Sequence, residues 1–289
     1  MRALWSASRQ VHVNLALEEQ LVDQFDERGP ALLFYLDAPA LVVGKNQNPW
    51  RECDVAWARR EGVSLGRRIS GGGTVYHDPG NLNYALILPR HDYSQERVFH
   101  RVCAALHTLG VTAHVGEGHS LLAGDRKFSG NAFCFRGHAV LHHGTILVEA
   151  DLVRLRKSLA QGLGGIETRA IASRPSPVVN LRDLKRTLSL DKVRDALLRE
   201  FVPEADALED APSPTAEQVG QHAAWAWVYG HTPSFDYTLE TEEGRLTLRV
   251  EKGQVVAGVV SWCRDREENV LALAGCRFAA EDLAARLEP

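Results

Sequence analysis

The stretch Arg67-Arg68-Ile69-Ser70-Gly71-Gly72-Gly73-Thr74-Val75-Tyr76-His77 decides how the rest of this chain is read. Two guanidinium groups stand beside three consecutive glycines, and a β-branched and aromatic run follows. Glycine lacks a Cβ, so it tolerates positive φ and lets another group approach the backbone. Successive open backbone N–H groups in such a loop form an anion-binding concavity. Arginine adds permanently charged donors that match phosphate and carboxylate oxygens. A glycine run alone is also what a flexible turn looks like. The spacing fits neither the phosphate loop ending in Lys-Ser/Thr nor the dinucleotide fingerprint. The loop predicts a site for a phosphorylated or carboxylated small molecule.

Outward from this loop, Val63 to Arg68 reads as the strand that delivers it. Upstream, Leu17, Leu21, Val22 and Phe25 recur at helical spacing and Gly29-Pro30 stops the helix. Ala31 to Leu36 and Leu41 to Val43 read as short buried strands, and a short helix carries Val55 and Trp57 to Gly62. Downstream, Leu82, Tyr84, Leu86 and Leu88 alternate with Asn83, Ala85 and Ile87 in a strand ending at Pro89. Ser94 caps a helix through Val98, Val102, Ala105 and Leu109, closed by Gly110. Val111 to Val115 reads as a strand, and Phe128 to Phe135 with Ala139 to Val148 as a hairpin around Arg136-Gly137-His138. Leu152, Leu155 and Leu159 mark a short helix, and Ser189 caps another with Val193, Leu197 and Phe201. Helices and strands mix without strict βαβ alternation, which predicts an α/β or α+β mixed-sheet protein.

The stretch 204–214 is acidic and proline-rich, the composition of a linker. Three strands, Phe235 to Leu239, Leu246 to Val250 and Val255 to Ser261, and a last helix from Ala280 to Leu287 follow it. The expected organisation is a catalytic domain over 1–203, a linker over 204–214 and a small α+β accessory domain over 215–289.

Composition excludes several classes. The 289 residues are 45% apolar and 24% charged, ordinary for a globular protein. A net charge of −4 gives nucleic acid no electrostatic footprint. No apolar run approaches the roughly 20 residues of a membrane span. The N-terminus has no signal-peptide core, so a cytoplasmic protein is expected. Five cysteines without a C-x-x-C pair predict neither a disulfide framework nor structural zinc. Twelve histidines show no H-E-x-x-H pattern, so no tightly held catalytic metal is expected.

A second constellation is Gly124-Asp125-Arg126-Lys127-Phe128-Ser129-Gly130-Asn131-Ala132. Lys127 stands at the start of an apolar strand, where it would point into a cleft. There an ammonium could bridge a carboxylate and a phosphate as an acyl phosphate forms. A solvated loop lysine is the plain alternative. His142-His143-Gly144-Thr145 forms the third element, with its histidines open to service as bases or as polar strand residues.

Taken in order, Gly44-Lys45-Asn46-Gln47-Asn48-Pro49-Trp50, the Arg67–His77 run with Asp78-Pro79-Gly80-Asn81, Lys127-Phe128-Ser129-Gly130 and His142-His143-Gly144-Thr145 resemble successive motifs of the lipoate–protein ligase A family. Trp227-Val228-Tyr229-Gly230-His231-Thr232-Pro233 resembles the entry to its small accessory domain. The resemblance implies a biotin/lipoate ligase-like catalytic fold and a two-step reaction. Lipoate and ATP, with Mg2+, give lipoyl-AMP and pyrophosphate. The lipoyl group then passes to a lysine ε-amine of a carrier domain, such as a 2-oxoacid dehydrogenase E2 subunit or the glycine cleavage H protein. Octanoate presents the same carboxylate and an apolar tail.

By the same resemblance, Lys127 is the catalytic lysine. Arg68 and the backbone of Gly73, Thr74, Val75 and Tyr76 hold the nucleotide, and Ser70, Gly71, Gly72, His77, Asn81 and Gly130 line the cleft. Two segments depart from the family pattern. Glu117-Gly118-His119-Ser120 replaces an Arg-Asn-Asp stretch, and Arg169-Ala170-Ile171-Ala172-Ser173-Arg174 replaces a Lys-Gly-Ile loop start expected to order over the adenylate. Besides a biotin–protein ligase, which shares the catalytic architecture, two other readings remain open on this scaffold. One is an ATP-independent octanoyl or lipoyl amidotransferase, for which Cys134 is the nearest cysteine nucleophile. The other is a non-catalytic regulatory protein that binds the lipoyl or adenylate group.

Overall fold

The computed structural model describes residues 1–159, 162–240, 242, 244–262, 266–269 and 273–279. Strands are numbered in chain order. The main sheet holds β1 (Arg2–Trp5), β2 (Ala31–Tyr35), β6 (Asn81–Pro89), β7 (His114–Val115), β8 (Ser120–Ala123), β9 (Arg126–Arg136), β10 (Ala139–Leu147) and β12 (Glu209–Asp210). Its order is β12-β1-β2-β6-β10-β9-β8-β7, with β1 parallel to β2 and β12 and the remaining pairs antiparallel. A three-stranded sheet places β3 (Ala40–Val43) between β4 (Ser64–Arg67) and β5 (Val75–His77). The third sheet runs β11 (Ile166–Thr168), β13 (Phe235–Glu240), β14 (Gly244–Glu251), β15 (Gln254–Trp262) and β16 (Arg266–Asn269).

Central strands β2, β6 and β10 are buried on both faces. One face packs Phe34, Tyr84, Leu86 and Ile146 against the helices Gln95–Thr108 and Leu190–Phe201. The other packs Leu33, Ala85, Ile87 and Leu141 against the helix Val11–Asp23. Both helices of the first face start where the sequence places them, with Ser94 Oγ accepting from Arg97 N and Ser189 Oγ from Lys192 N. At Gly110 (φ +75°) the helix Gln95–Thr108 stops. Gly110 N donates to His107 O and Val111 N to Leu106 O, the paired bonds of a Schellman ending. That ending takes up Val111, so the strand expected over 111–115 shrinks to His114–Val115.

Glu209–Asp210, inside the stretch read as a linker, pairs in parallel with β1. β11, which precedes that stretch, joins the C-terminal sheet through β13. Trp50 enters the core of the same sheet, its ring 5.2 Å from Tyr229, 5.5 Å from Phe235 and 5.1 Å from Phe278. The helix expected over Ala280 to Leu287 lies outside the described residues. Among the described residues no helix is long and apolar enough to cross a membrane.

Arg67 locks these parts together. It is fully buried, and Nη1 donates to the carbonyls of Gly44, Lys45 and Gln47 at 3.0, 2.9 and 2.9 Å. Nε reaches Val228 O at 2.8 Å and Nη2 reaches Thr232 Oγ1 at 3.0 Å. Truncation would strand several buried acceptors, each worth roughly 1–3 kcal/mol. Arg67→Ala is therefore expected to destabilise the protein by about 3 kcal/mol or more, read as a lower urea midpoint. An unchanged midpoint would show that these bonds carry no net stability.

Candidate active site

A cavity of about 560 Å³ lies between one face of the main sheet and the three-stranded sheet, with residues 171–176 along its side. Its floor is one row across five strands. Tyr35 pairs with Asn83, Asn83 with Thr145, Gly130 N bonds Thr145 Oγ1 at 3.2 Å, and Gly130 pairs with Ser120. All five line the cavity.

Lys127 reaches this floor through a bulge. On β8, Leu121 pairs with Ser129 but Leu122 pairs with Lys127, so Phe128 is an extra residue. Phe128 drops fully buried into the core. One inserted residue shifts the two-residue alternation and re-aims the side chain beside it. Lys127 thereby comes over Gly130, where an added Cβ would lie 3.0 Å from its Nζ. The segment behind fixes the backbone, with Lys127 N donating to Pro177 O and Val179 N to Lys127 O. Among the described residues the ammonium has no hydrogen-bond or ion-pair partner. Burial, and then the Arg68 charge, hold its pKa below the usual lysine value.

Arg68 braces the glycine loop. Its Nη2 donates to Gly71 O at 2.6 Å and Gly73 O at 2.7 Å, Nη1 to Val42 O at 3.0 Å, and Nε to Ser70 Oγ at 3.1 Å. Gly72 sits at φ +89°, with Arg68 Nη2 3.0 Å from where a Cβ would stand. The loop's carbonyls are thus committed to the guanidinium. The N–H groups of Gly71, Gly72 and Gly73 have no acceptor among the described residues, as an anion-binding loop requires.

Two histidines of the site are backed by buried carboxylates. His143 Nδ1 lies 2.7 Å from Glu18 Oε2, and its Nε2 lies 2.6 Å from Ser70 Oγ. Tyr35 OH donates to Glu18 Oε1 at 3.0 Å. His77 Nδ1 lies 2.7 Å from Asp37 Oδ2. The neighbour His142 alternates to the other face, against Tyr93 and Phe99. Burial pushes it down to about 3, so it stays neutral at physiological pH.

Residues 170–173 form a strap over the loop. Gln47 Nε2 donates to Ser173 Oγ at 3.0 Å and Ile171 O at 3.3 Å, while Gln47 Oε1 accepts from Thr74 Oγ1 at 2.8 Å. Thr74 N donates to Ser173 Oγ at 2.9 Å, and Ser173 N to Glu52 Oε2 at 2.9 Å.

Of the residues singled out in sequence, Lys127, Arg68, Gly72, Gly73, Thr74, Val75, His77 and Gly130 line this cavity. Four others lie outside that lining. Tyr76 lies between Val75 and His77 on β5, so alternation turns it away into a core with Leu41 and Cys53. Asn81 is fully buried and donates to Asn83 Oδ1 at 2.9 Å. Ser70 stands behind His143, and Gly71 presents its carbonyl to Arg68. Tyr35, Asn83, Ser120 and the backing carboxylates Glu18 and Asp37 were not anticipated. The signal for Asn83 was a polar residue inside an apolar strand. Cys134 is outside the cavity lining, and burial raises its thiol pKa.

A family model, the lipoyl protein ligase A/B catalytic domain, matches residues 10–202. A lipoate–protein ligase A of Psychrobacter cryohalolentis is 31% identical over 256 residues, which is 83% of this chain and 76% of that one. A crystal structure of a lipoate–protein ligase A bound with ATP superposes with a TM-score of 0.62 at 27% identity, covering 77% of this chain and 92% of that one. The bipartite lipoate protein ligase of Thermoplasma acidophilum, described with its E2 lipoyl domain, superposes with a TM-score of 0.61 at 26% identity, covering 77% and 91%.

A lowered lysine pKa is measurable. In competitive acetylation across pH, Lys127 should titrate below the usual lysine range. A midpoint within that range would mean that the ammonium meets bulk water.

Proposed function

Since the chain belongs to the lipoyl protein ligase A/B catalytic-domain family, we propose that it works as an ATP-dependent lipoate–protein ligase and that Lys127 is its catalytic residue. Lipoate and ATP form lipoyl-AMP and pyrophosphate, and the lipoyl group then passes to the ε-amine of a lysine on a lipoyl carrier protein. The observation that carries the assignment of Lys127 is its unpartnered ammonium over Gly130, in the same cavity as the glycine loop.

The chemistry needs a cation at that point. A carboxylate must approach a triphosphate, and two like unit charges 4 Å apart repel by about 4 kcal/mol at an effective dielectric of 20. Lys127 offsets that repulsion and then stabilises the charge that develops on the acyl phosphate. The open amides of Gly72 and Gly73, which line the cavity, hold phosphate oxygens, and Arg68 acts from behind by shaping the loop. Leu15, Val42 and Ala132 give the cavity apolar walls suited to a lipoyl or octanoyl tail. Magnesium enters as the ATP complex. Glu117 and Asp125 are the acidic groups of the cavity open to it. The carriers we propose are E2 subunits of 2-oxoacid dehydrogenases and the glycine cleavage H protein, supported by the lipoyl domain described for the Thermoplasma relative.

Mass spectrometry of a carrier domain incubated with protein, ATP and lipoate tests the activity, each component being omitted in turn. Lipoylation should require all of them, and modification without ATP would reject the ligase. Lys127→Ala should lower lipoate-dependent pyrophosphate exchange by at least about 100-fold. Thermal unfolding should stay close to wild type, because removing an unpaired buried charge leaves no orphaned partner. Exchange at the wild-type rate would remove Lys127 from the mechanism. Cys134→Ser should keep ATP-dependent transfer, and its loss would revive the cysteine nucleophile.

A further inference from the structure

Three histidines line the cavity, and their hydrogen bonds separate them. His143 has both ring nitrogens engaged, by Glu18 and Ser70. His119 accepts at Nδ1 from Gln95 Nε2, 2.6 Å away, which places its ring proton on Nε2 and leaves no acceptor. His77 is different. Asp37 is fully buried and can only accept, so His77 Nδ1 carries the proton shared with it at 2.7 Å. The other Asp37 oxygen accepts from Asn14 Nδ2 at 2.7 Å, and Asn14 in turn accepts from Ser6 Oγ at 2.7 Å. The carboxylate is pinned, and so is the imidazole. In the neutral ring His77 Nε2 is then a lone pair with no partner among the described residues, on a residue that lines the cavity.

We propose that His77, oriented by Asp37, is the general base of the acyl-transfer half-reaction. The proposal rests on the ligase reading above and adds a step to it. Adenylate formation moves no proton: a carboxylate oxygen bonds to phosphorus and pyrophosphate departs. Transfer does move one. As the carrier amine nitrogen bonds to the acyl carbon, its N–H proton passes to His77 Nε2. The carbon–oxygen bond to phosphate breaks and its electron pair leaves on AMP. Asp37 stabilises the imidazolium until the proton returns to water. Lys127 and Arg68 are cations and cannot take this proton.

Other ionisable groups share the cavity. Tyr35 and His143 lie on the floor, both bonded to Glu18 behind it. Glu117, Asp125, His119 and Arg174 complete the lining. Asp78, next in sequence, is turned away to Gly80 N and Asp151 N.

The test separates the half-reactions. Pyrophosphate exchange by the wild-type protein reports adenylate formation, and its absence would remove the ligase reading itself. Single-turnover transfer from preformed adenylate to a carrier domain, followed across pH, reports the base. Wild-type transfer should rise with pH through a midpoint. His77→Gln should slow transfer by about 100-fold or more and erase that midpoint. Added imidazole should restore part of the rate to His77→Ala. Asp37→Asn should slow transfer in the same direction, because the amide holds the wrong tautomer. Transfer by His77→Gln at the wild-type rate and midpoint would overturn the proposal. So would an equal loss in both half-reactions without imidazole rescue. If neither His77 variant folds, a wild-type transfer rate that does not change with pH overturns it.

Discussion

Two adjacent arginines are buried at the end of β4, neither hydrogen-bonded to a carboxylate among the described residues, and the site depends on how they are accommodated. A buried guanidinium is tolerated only when its donors are satisfied. Carbonyl oxygens do that here, from Val42, Gly44, Lys45, Gln47, Gly71, Gly73 and Val228. Burial pushes both groups down to about 10, so both remain cations at neutral pH. Two consequences follow from using dipoles instead of carboxylates. Neither guanidinium is tied up in an ion pair, and Arg68 adds its charge to that of Lys127 at the cavity. The glycine loop is held by its carbonyls, so its amides are left for a ligand.

The two carboxylates behind the cavity floor, Glu18 and Asp37, are handled in the opposite way, while Glu117 and Asp125 belong to the lining itself. Glu18 is capped by Tyr35 and His143, and Asp37 by Asn14 and His77. Each carboxylate is spent behind the cavity on orienting a side chain at its surface. A carboxylate facing the cavity floor would repel both anionic substrates. Behind a histidine it fixes a tautomer, which a solvated imidazole would not keep. The separation follows from strand alternation and from the buried stretch joining β2 to β3, which carries Asp37.

How much of this was legible in the chain follows from which interactions are local. The caps at Ser94 and Ser189, the hairpin of β9 and β10 and the loop between β4 and β5 are written in neighbouring residues, and the structure has them. The role of Arg68 was not legible, because its partners include Val42, distant in sequence, and carbonyls carry no residue signature. The phase of Lys127 was not legible either. A bulge at Phe128 depends on the register with β8, and strict alternation would have set Lys127 on the face opposite Gly130. Tyr76 and Asn81 entered the site reading through the family resemblance; strand alternation and packing put the Tyr76 side chain in the core and bond Asn81 to Asn83. Asp37 and His77 lie 40 residues apart and meet only through the fold.

The strap ties the cavity wall to the same arginine pair. Residues 170–173 are held by Gln47, Thr74, Arg51 and Glu52, a set of polar side-chain bonds with little apolar packing of their own. Segments secured in this way lie at the low-stability end of a structure. Gln47 itself is not loose: its carbonyl is one of the three that Arg67 gathers, and its side chain also accepts from Gly44 N at 3.0 Å. The anchor is therefore rigid and the strap is weakly held on it. The strap meets the loop through one bond, Thr74 N to Ser173 Oγ, whereas the carbonyls of Gly71 and Gly73 are held by Arg68, so the shape of the loop rests mainly on the guanidinium.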